Sequence, residues 1–432
     1  MTVYSRAIRV ITLGAVVLVL GLVPVGAHAA TSSAPRLTRL TAVSTSSSIT
    51  LSWHDPRSAR ISGVLVRRAA GILAPSLSSG QLVARLGSAP THLVDTAVDA
   101  SQTYSYSLFA FRGSHYARPV RISVSTAAAA VQVFNDPSYD FDGPISTSAS
   151  GSDVWVTNAH GNSVSEINAA TGAVALVLNG PNYQFSGPIA VSTDGTDVWV
   201  ANFNGNSVTE LDQATGALVR VLGDGYNFNE PDTVTEGSGE LWVASAALNS
   251  VTEINETTGA VVQVLSAPSY DFDDPEAAYS DGTNLWVADA NGDTITEISE
   301  ATGDLEQVLS GASYGFNEPG SICASGADLL VTNDDGNTVT EISDATGAAL
   351  RIVTGANYGF HEPVDVAAQG ADAWVVNYGG NSVTEFDVAT GALVYYNYGP
   401  SYGFDDPISI SLVGGDAWVL NVLGNSVTRF SL

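Results

Sequence analysis

Between Val131 and Leu432 the residues best suited to chemistry recur at intervals. Seven tyrosines, Tyr139, Tyr183, Tyr226, Tyr270, Tyr314, Tyr358 and Tyr402, each open a Tyr-x-Phe-x-x-Pro motif, and the residue before the proline is acidic in five copies: Glu230, Asp274, Glu318, Glu362 and Asp406. Phenol rings with exposed edges stack on sugar rings, and a circle of carboxylates attracts positive charge, so these residues form the candidate ligand-binding set. A packed ring whose hydroxyl bonds backbone is the competing reading for the tyrosines. Asp289-Ala-Asn291-Gly-Asp293 alternates oxygen donors as calcium loops do, although the distal bidentate glutamate of such loops is missing. Calcium is the one cofactor this suggests, as a weak candidate.

Catalysis requires a nucleophile, base or metal gathered at one place. His361 beside Glu362 is the nearest approach to that, and the array has no His pair or Cys/His cluster suited to a transition metal. No residue is assigned a catalytic role. Glu166, Glu210, Glu253, Glu297, Glu341 and Glu385 repeat at one register, which points to a local partner in each copy rather than to a single active site.

The elements that position these residues follow from the repeat. A tryptophan in an apolar run recurs at Trp155, Trp199, Trp242, Trp286, Trp374 and Trp418, with Leu330 in the remaining slot, at spacings of 44, 43, 44, 44, 44 and 44 residues. Units of this length holding several short β patterns predict a seven-bladed propeller, each unit one four-stranded sheet. Small residues after the proline suit the crowded axis, Asn202-Phe-Asn-Gly-Asn206 and its equivalents form the turn between the second and third strands, and Ala-Thr-Gly turns precede the fourth. Residues 131–134 read as a lone strand at the start, and the last unit lacks its fourth strand, so pairing of the two closes the ring. The Tyr-x-Phe-x-x-Pro and Asn-rich turns then share one face.

The rest of the chain differs in character. Arg6 and Arg9, an apolar run from Val10 to Val25 and Ala27-His28-Ala29 read as a secretory signal peptide over residues 1–29. Seven strand-like segments follow between residues 34 and 125, predicting a β-sandwich, with a linker at 126–130. Residues 1–130 hold 12 Arg and 3 Asp, whereas 131–432 hold 3 Arg and 41 acidic residues, and there is no lysine. An array this acidic is a poor partner for nucleic acid, and no second apolar run is long enough to span a membrane. Cys323 is the single cysteine, so no intrachain disulfide forms.

Ser48-Ile-Thr-Leu-Ser-Trp53 and Val98-Asp-Ala-Ser-Gln-Thr-Tyr104-Ser-Tyr106 resemble a fibronectin type III domain. The resemblance implies Trp53 as a core residue and Tyr104 as a hydroxyl-anchoring corner residue with Val98 as its apolar neighbour. Val154-Trp-Val-Thr-Asn158, Asn162-Ser-Val-Ser-Glu-Ile-Asn168 and Thr171-Gly172 resemble the YVTN family of secreted and surface-layer propellers, related in style to NHL-like arrays. It implies an exported protein, extracellular or cell-wall associated, acting in binding or adhesion, with a surface glycan or protein as ligand on the Tyr-x-Phe-x-x-Pro face. A lyase- or lactonase-like enzyme and a structural surface-layer component are the alternatives.

Overall fold

A computed structural model describes residues 35–45, 48–54, 61–87, 91–98, 102–126 and 131–432. The signal peptide expected over 1–29, and residues 127–130 of the expected linker, lie outside the described residues. The chain divides into two compact units at the boundary between residues 130 and 131.

The first unit holds two antiparallel sheets. Thr38–Ser44, Ile49–His54 and His92–Asp95 form one; Gln81–Leu86, Gly63–Ala70, Thr103–Arg112, His115–Tyr116 and Val120–Ser125 form the other. Alternation places Ile49, Leu51 and Trp53 of one strand inward, against Val64, Val66, Tyr104, Tyr106 and Leu108 from the other sheet, with Val98 in the same core. The buried hydroxyl of Tyr106 donates to Asp95 at 2.8 Å, and Arg68 pairs with the same carboxylate at 3.1 Å. Burial first, then Asp95, holds the Tyr106 hydroxyl protonated well beyond the usual phenol range. The Arg68 guanidinium lies 4.9 Å from the centre of the Tyr104 ring.

The second unit is a β-propeller of seven four-stranded antiparallel sheets. Blade two is representative: Pro188–Thr193 is innermost, followed outward by Asp197–Asn202, Ser207–Asp212 and Leu218–Leu222. Inner strands of neighbouring blades touch all the way round, Pro407–Val413 meeting Pro144–Ser150, so the sheets close into a ring. Blade seven takes its outer strand from the start of the array, where Gln132–Phe134 pairs antiparallel with Ser426–Ser431. Each tryptophan fills the space between sheets; Trp199 of blade two packs on Val234, Leu241 and Val243 of blade three. Leu330 occupies the same kind of slot and is fully buried.

The blades are also joined by polar contacts at the entry to each inner strand. The side-chain oxygen of Asn162 accepts from the backbone N–H of Gly187 in the next blade, and the same bond recurs from Asn206 to Glu230, Asn249 to Asp274, Asp293 to Glu318, Asn337 to Glu362, Asn381 to Asp406 and Asn425 to Gly143, all at 2.7–3.0 Å. All seven acceptor residues hold φ between 41° and 52°. Asn and Asp suit the site twice over, because they tolerate left-handed backbone and present an oxygen one carbon from Cβ.

Replacing Asn381 separates the two contributions. Asn381→Gly keeps the backbone conformation and removes the acceptor, so it is expected to cost about 1 kcal/mol. Asn381→Ala adds the left-handed strain and is expected to cost about 2 kcal/mol. Denaturant midpoints at constant m-value measure both; no loss in Asn381→Gly would show that the bond contributes nothing beyond backbone fit, and equal losses in the two variants would show that the left-handed strain contributes nothing.

Candidate functional site

The seven tyrosines lie where the chain crosses from one blade to the next, all half-buried. Six hydroxyls donate to the carbonyl of the glycine in the following Thr-Gly turn: Tyr139 to Gly172, Tyr183 to Gly216, Tyr226 to Gly259, Tyr270 to Gly303, Tyr314 to Gly347 and Tyr358 to Gly391. Tyr402 donates to the Asn397 side chain at 2.7 Å. Each ring stacks on the phenylalanine two residues on, with centroids 5.1–5.6 Å apart and planes within 23° of parallel. The backbone carbonyl of each tyrosine accepts from a third-strand hydroxyl, Ser165 or one of Thr209, Thr252, Thr296, Thr340, Thr384 and Thr428, at 2.6–3.1 Å. One face and the hydroxyl of every tyrosine are therefore engaged within the fold, which leaves an edge rather than a full platform for stacking.

The three calcium candidates are directed to separate partners. Asp289 is fully buried and contacts Thr294 and Thr296 at 3.2 Å; Asn291 donates to Asp274; Asp293 is the inter-blade acceptor for Glu318. Among the described residues no group of three His, Cys, Asp or Glu is arranged to hold a metal ion. Asp289 instead occupies the slot filled by Asn158, Asn202, Asn333, Asn377 and Asn421, whose amides donate to the Ser or Thr hydroxyl at 2.9–3.0 Å. The Thr296 hydroxyl has one hydrogen, directed to Tyr270 O, so a protonated Asp289 reproduces the missing amide donor. Burial pushes the Asp289 pKa up to about 8, against the lowering effect of the two threonines.

Two of the acidic residues before the prolines reach the axis. Asp274 and Glu318, with Glu276, Asn291 and Asp334, line a cavity of about 320 Å³ whose remaining wall is Ala290, Gly320, Val364 and Ile408. Four blades contribute, so this is the mouth of the central channel on the Tyr-x-Phe-x-x-Pro face. Glu230, Asp274, Glu318, Glu362 and Asp406 all hold φ of 53–65°, at a position where blades one and two use Gly143 and Gly187. Left-handed backbone costs a side-chain-bearing residue about 1 kcal/mol or more, so five blades retain a carboxylate before the proline against a local preference for glycine. Asp406 also accepts from the Tyr378 hydroxyl at 3.2 Å.

Three further carboxylates, absent from the repeat-based candidate set, give the mouth its asymmetry. The residue after each proline is Ile145, Ile189, Asp232, Glu276, Gly320, Val364 or Ile408, acidic in blades three and four alone. Burial, followed by Asp274 and Glu230, pushes Asp232 up to about 7; burial, followed by Asp232, Asp274, Glu318 and Asp334, does the same to Glu276. Asp334 rises to about 6 through burial and its neighbours Glu362, Glu318 and Asp335, opposed by His361. The result is an acidic arc facing an apolar one.

No family model matches the chain, and no curated protein matches it in sequence. Among solved structures it is similar to virginiamycin B lyase from Staphylococcus aureus, with a TM-score of 0.58 and 18% identity over 70% of this chain and 99% of that one. A streptogramin B lyase gives a TM-score of 0.59 and 18% identity over 70% of this chain and 98% of that one. U3-55K gives 0.57 and 12% over 70% and 98%. These likenesses show the propeller fold.

The Asp289 slot makes a pH-dependent prediction. A carboxyl whose pKa is higher in the folded state binds its proton more tightly there, so its contribution to stability falls as pH rises from about 4 through about 8. Asp289→Asn is therefore expected to be more stable than the parent by at least about 1 kcal/mol at pH 8 and to match it near pH 3. Unfolding measured across this range checks it; a difference independent of pH would contradict the protonated slot.

Proposed function

We propose that this is an exported binding protein in which a fibronectin III-like sandwich carries a propeller that takes a cationic ligand at its axial mouth. The reading rests chiefly on one observation. Carboxylates from blades four and five line a single cavity with no Lys or Arg beside them, opposite Val364 and Ile408. Like charges held close raise one another's pKa, and a cation removes that repulsion on binding. The apolar arc suits an aliphatic or ring portion next to the charge. A basic protein segment and an amino-sugar glycan both offer that pairing, and the tyrosine edges around the rim suit either. Export is supported by the sequence at residues 1–29 and by the propeller's composition. A lyase-like activity has only the fold likeness behind it.

Two probes test the mouth: an acetyl-Leu-Lys-Leu-amide peptide and a glucosamine tetramer, each against its N-acetylated, neutral counterpart. The charged forms are expected to bind at least about 10-fold more tightly. Asp232→Asn with Glu276→Gln is expected to remove that preference. Affinity for the lysine peptide rises from pH 5 to pH 8, because Asp232, Glu276 and Asp334 ionise between about 6 and 7. The double variant is also expected to melt about 2–4 °C above the parent at pH 8 and with no difference near pH 4. Equal binding of charged and neutral probes would refute the cationic reading.

A further inference from the structure

On the face opposite the mouth, the outer parts of several seams between blades share one arrangement. A third-strand carboxylate faces a side chain from the same blade's outer strand, and that side chain reaches over the Thr-Gly turn of the next blade. Between blades two and three the reaching residue is Arg220, which pairs with Glu210, donates to the backbone carbonyls of Glu256 and Thr257, and lies 5.5 Å from the Trp199 ring. Between blades five and six Arg351 pairs with Glu341 at 3.3 Å and donates to Val388 O and Ala389 O at 2.8 and 3.1 Å. At the closing seam the cation stands on the third strand itself: Arg429 pairs with Asp416 of the second strand and points Nη1 at Ala170 O of the next blade. These are the propeller's three arginines. Each is held by a carboxylate and by one or two backbone carbonyls, which matches the fixed fork of a guanidinium.

The seam between blades three and four has the acceptors without the cation. Gln263 stands where Arg220 and Arg351 stand, donating to Glu253 at 2.6 Å and to Thr302 O at 3.3 Å. The shorter side chain leaves an open cleft of about 470 Å³, lined by Glu240, Glu253 and Glu300 together with Ser238, Val262 and Thr283. Glu300 is 6% exposed; one of its oxygens accepts from Ser280, while Oε2 has no partner among the described residues. Glu240 likewise accepts from Asn255 through Oε1 and leaves Oε2 unpartnered. The neighbouring seam resolves its charge internally, since Gln307 and Asn284 both donate to Glu297. Burial, with Gln263 opposing it and the charges of Glu240 and Glu300 adding to it, raises the Glu253 carboxyl. A buried carboxylate oxygen without a donor is costly, and a donor that carries positive charge is the complement.

We propose that the cleft between blades three and four is a guanidinium-binding site, filled from outside as Arg220 fills its counterpart from within. Glu300 Oε2 and Glu240 Oε2 take the two arms of the fork, Gln263 stays on Glu253, and exposed Val262 covers the aliphatic stem. The guanidinium comes either from an arginine side chain of another polypeptide or from a small free guanidine.

Agmatine and an acetyl-Ala-Arg-Ala-amide peptide represent the two sources, with the citrulline peptide as the neutral isostere. Binding to the full chain is measured by calorimetry, in the parent and in the Asp232→Asn, Glu276→Gln background that silences the mouth. The arginine peptide is expected to bind at least 10-fold more tightly than the citrulline peptide in both. A peptide that outbinds agmatine 10-fold assigns the site to a polypeptide partner; parity assigns it to the small molecule. Gln263→Arg fills the cleft from within and is expected to raise the melting temperature and abolish binding, while Glu300→Gln weakens binding at least 10-fold in a protein that melts as the parent does. Arginine binding that survives Gln263→Arg, that disappears in the mouth background, or that is matched by citrulline overturns the proposal.

Discussion

One side-chain oxygen, reaching from each blade to the first backbone N–H of the next, ties the propeller's inner ring together. The residue that supplies it sits in left-handed backbone, and the residue that receives it does so too, immediately before a proline. That pairing fixes where the inner strand begins and so where its side chains enter the channel. Tryptophan burial between sheets supplies the bulk of the non-directional energy, but apolar packing does not select a register to the residue. The amide-to-backbone bond does, and it closes on itself from Asn425 to Gly143. Asp274 and Glu318 are presented at the mouth as a direct result, because they carry N–H groups that are bound in this way.

Charge is distributed by the same seams. The three arginines of the array all lie in grooves between blades, where each neutralises a carboxylate and bonds the next blade's backbone. None faces the mouth cavity. Two kinds of acidic surface result: grooves whose carboxylates are satisfied from within, and places where they are not. The mouth and the cleft between blades three and four belong to the second kind, one on each face of the ring. Their mutual repulsion is a standing cost to the folded state that positive charge from solution relieves.

The architecture was legible because the pattern is redundant. Any one Asp-Val-Trp-Val run is ambiguous, whereas seven such runs at spacings of 43 or 44, one of them with Leu330 for the tryptophan and the first six followed by a Thr-Gly turn, specify strand order within a blade. The tyrosines were legible as recurrent but not as engaged, since no local pattern reveals that a hydroxyl reaches a glycine carbonyl 33 residues on. Asp289 and Asp293 looked like members of one loop site in sequence; the fold sends one into the blade and the other across the seam. Asp232, Glu276 and Asp334 were missed for the opposite reason. They depart from the repeat, at positions where other blades carry Ile, Val, Gly, Ala, Phe or Tyr, and so carry no recurring signal. The usable signal was the departure itself: an acid among uncharged equivalents facing an axis.

Closing the ring with the first strand of the array has a consequence for the order of assembly. Within a blade, strands are joined by turns of a few residues, whereas Phe134 must find Val427 about 300 residues later. Loop-closure entropy makes that contact about 4 kcal/mol harder to form than a hairpin, so blades one to six come first and blade seven last. Until then Gln132–Phe134 and Ser426–Ser431 each present an unpaired edge. A chain that emerges N-terminus first exposes the early edge for the whole time the other six blades are forming. The seam that seals the finished ring is thus also the interval in which two chains are most apt to pair with each other.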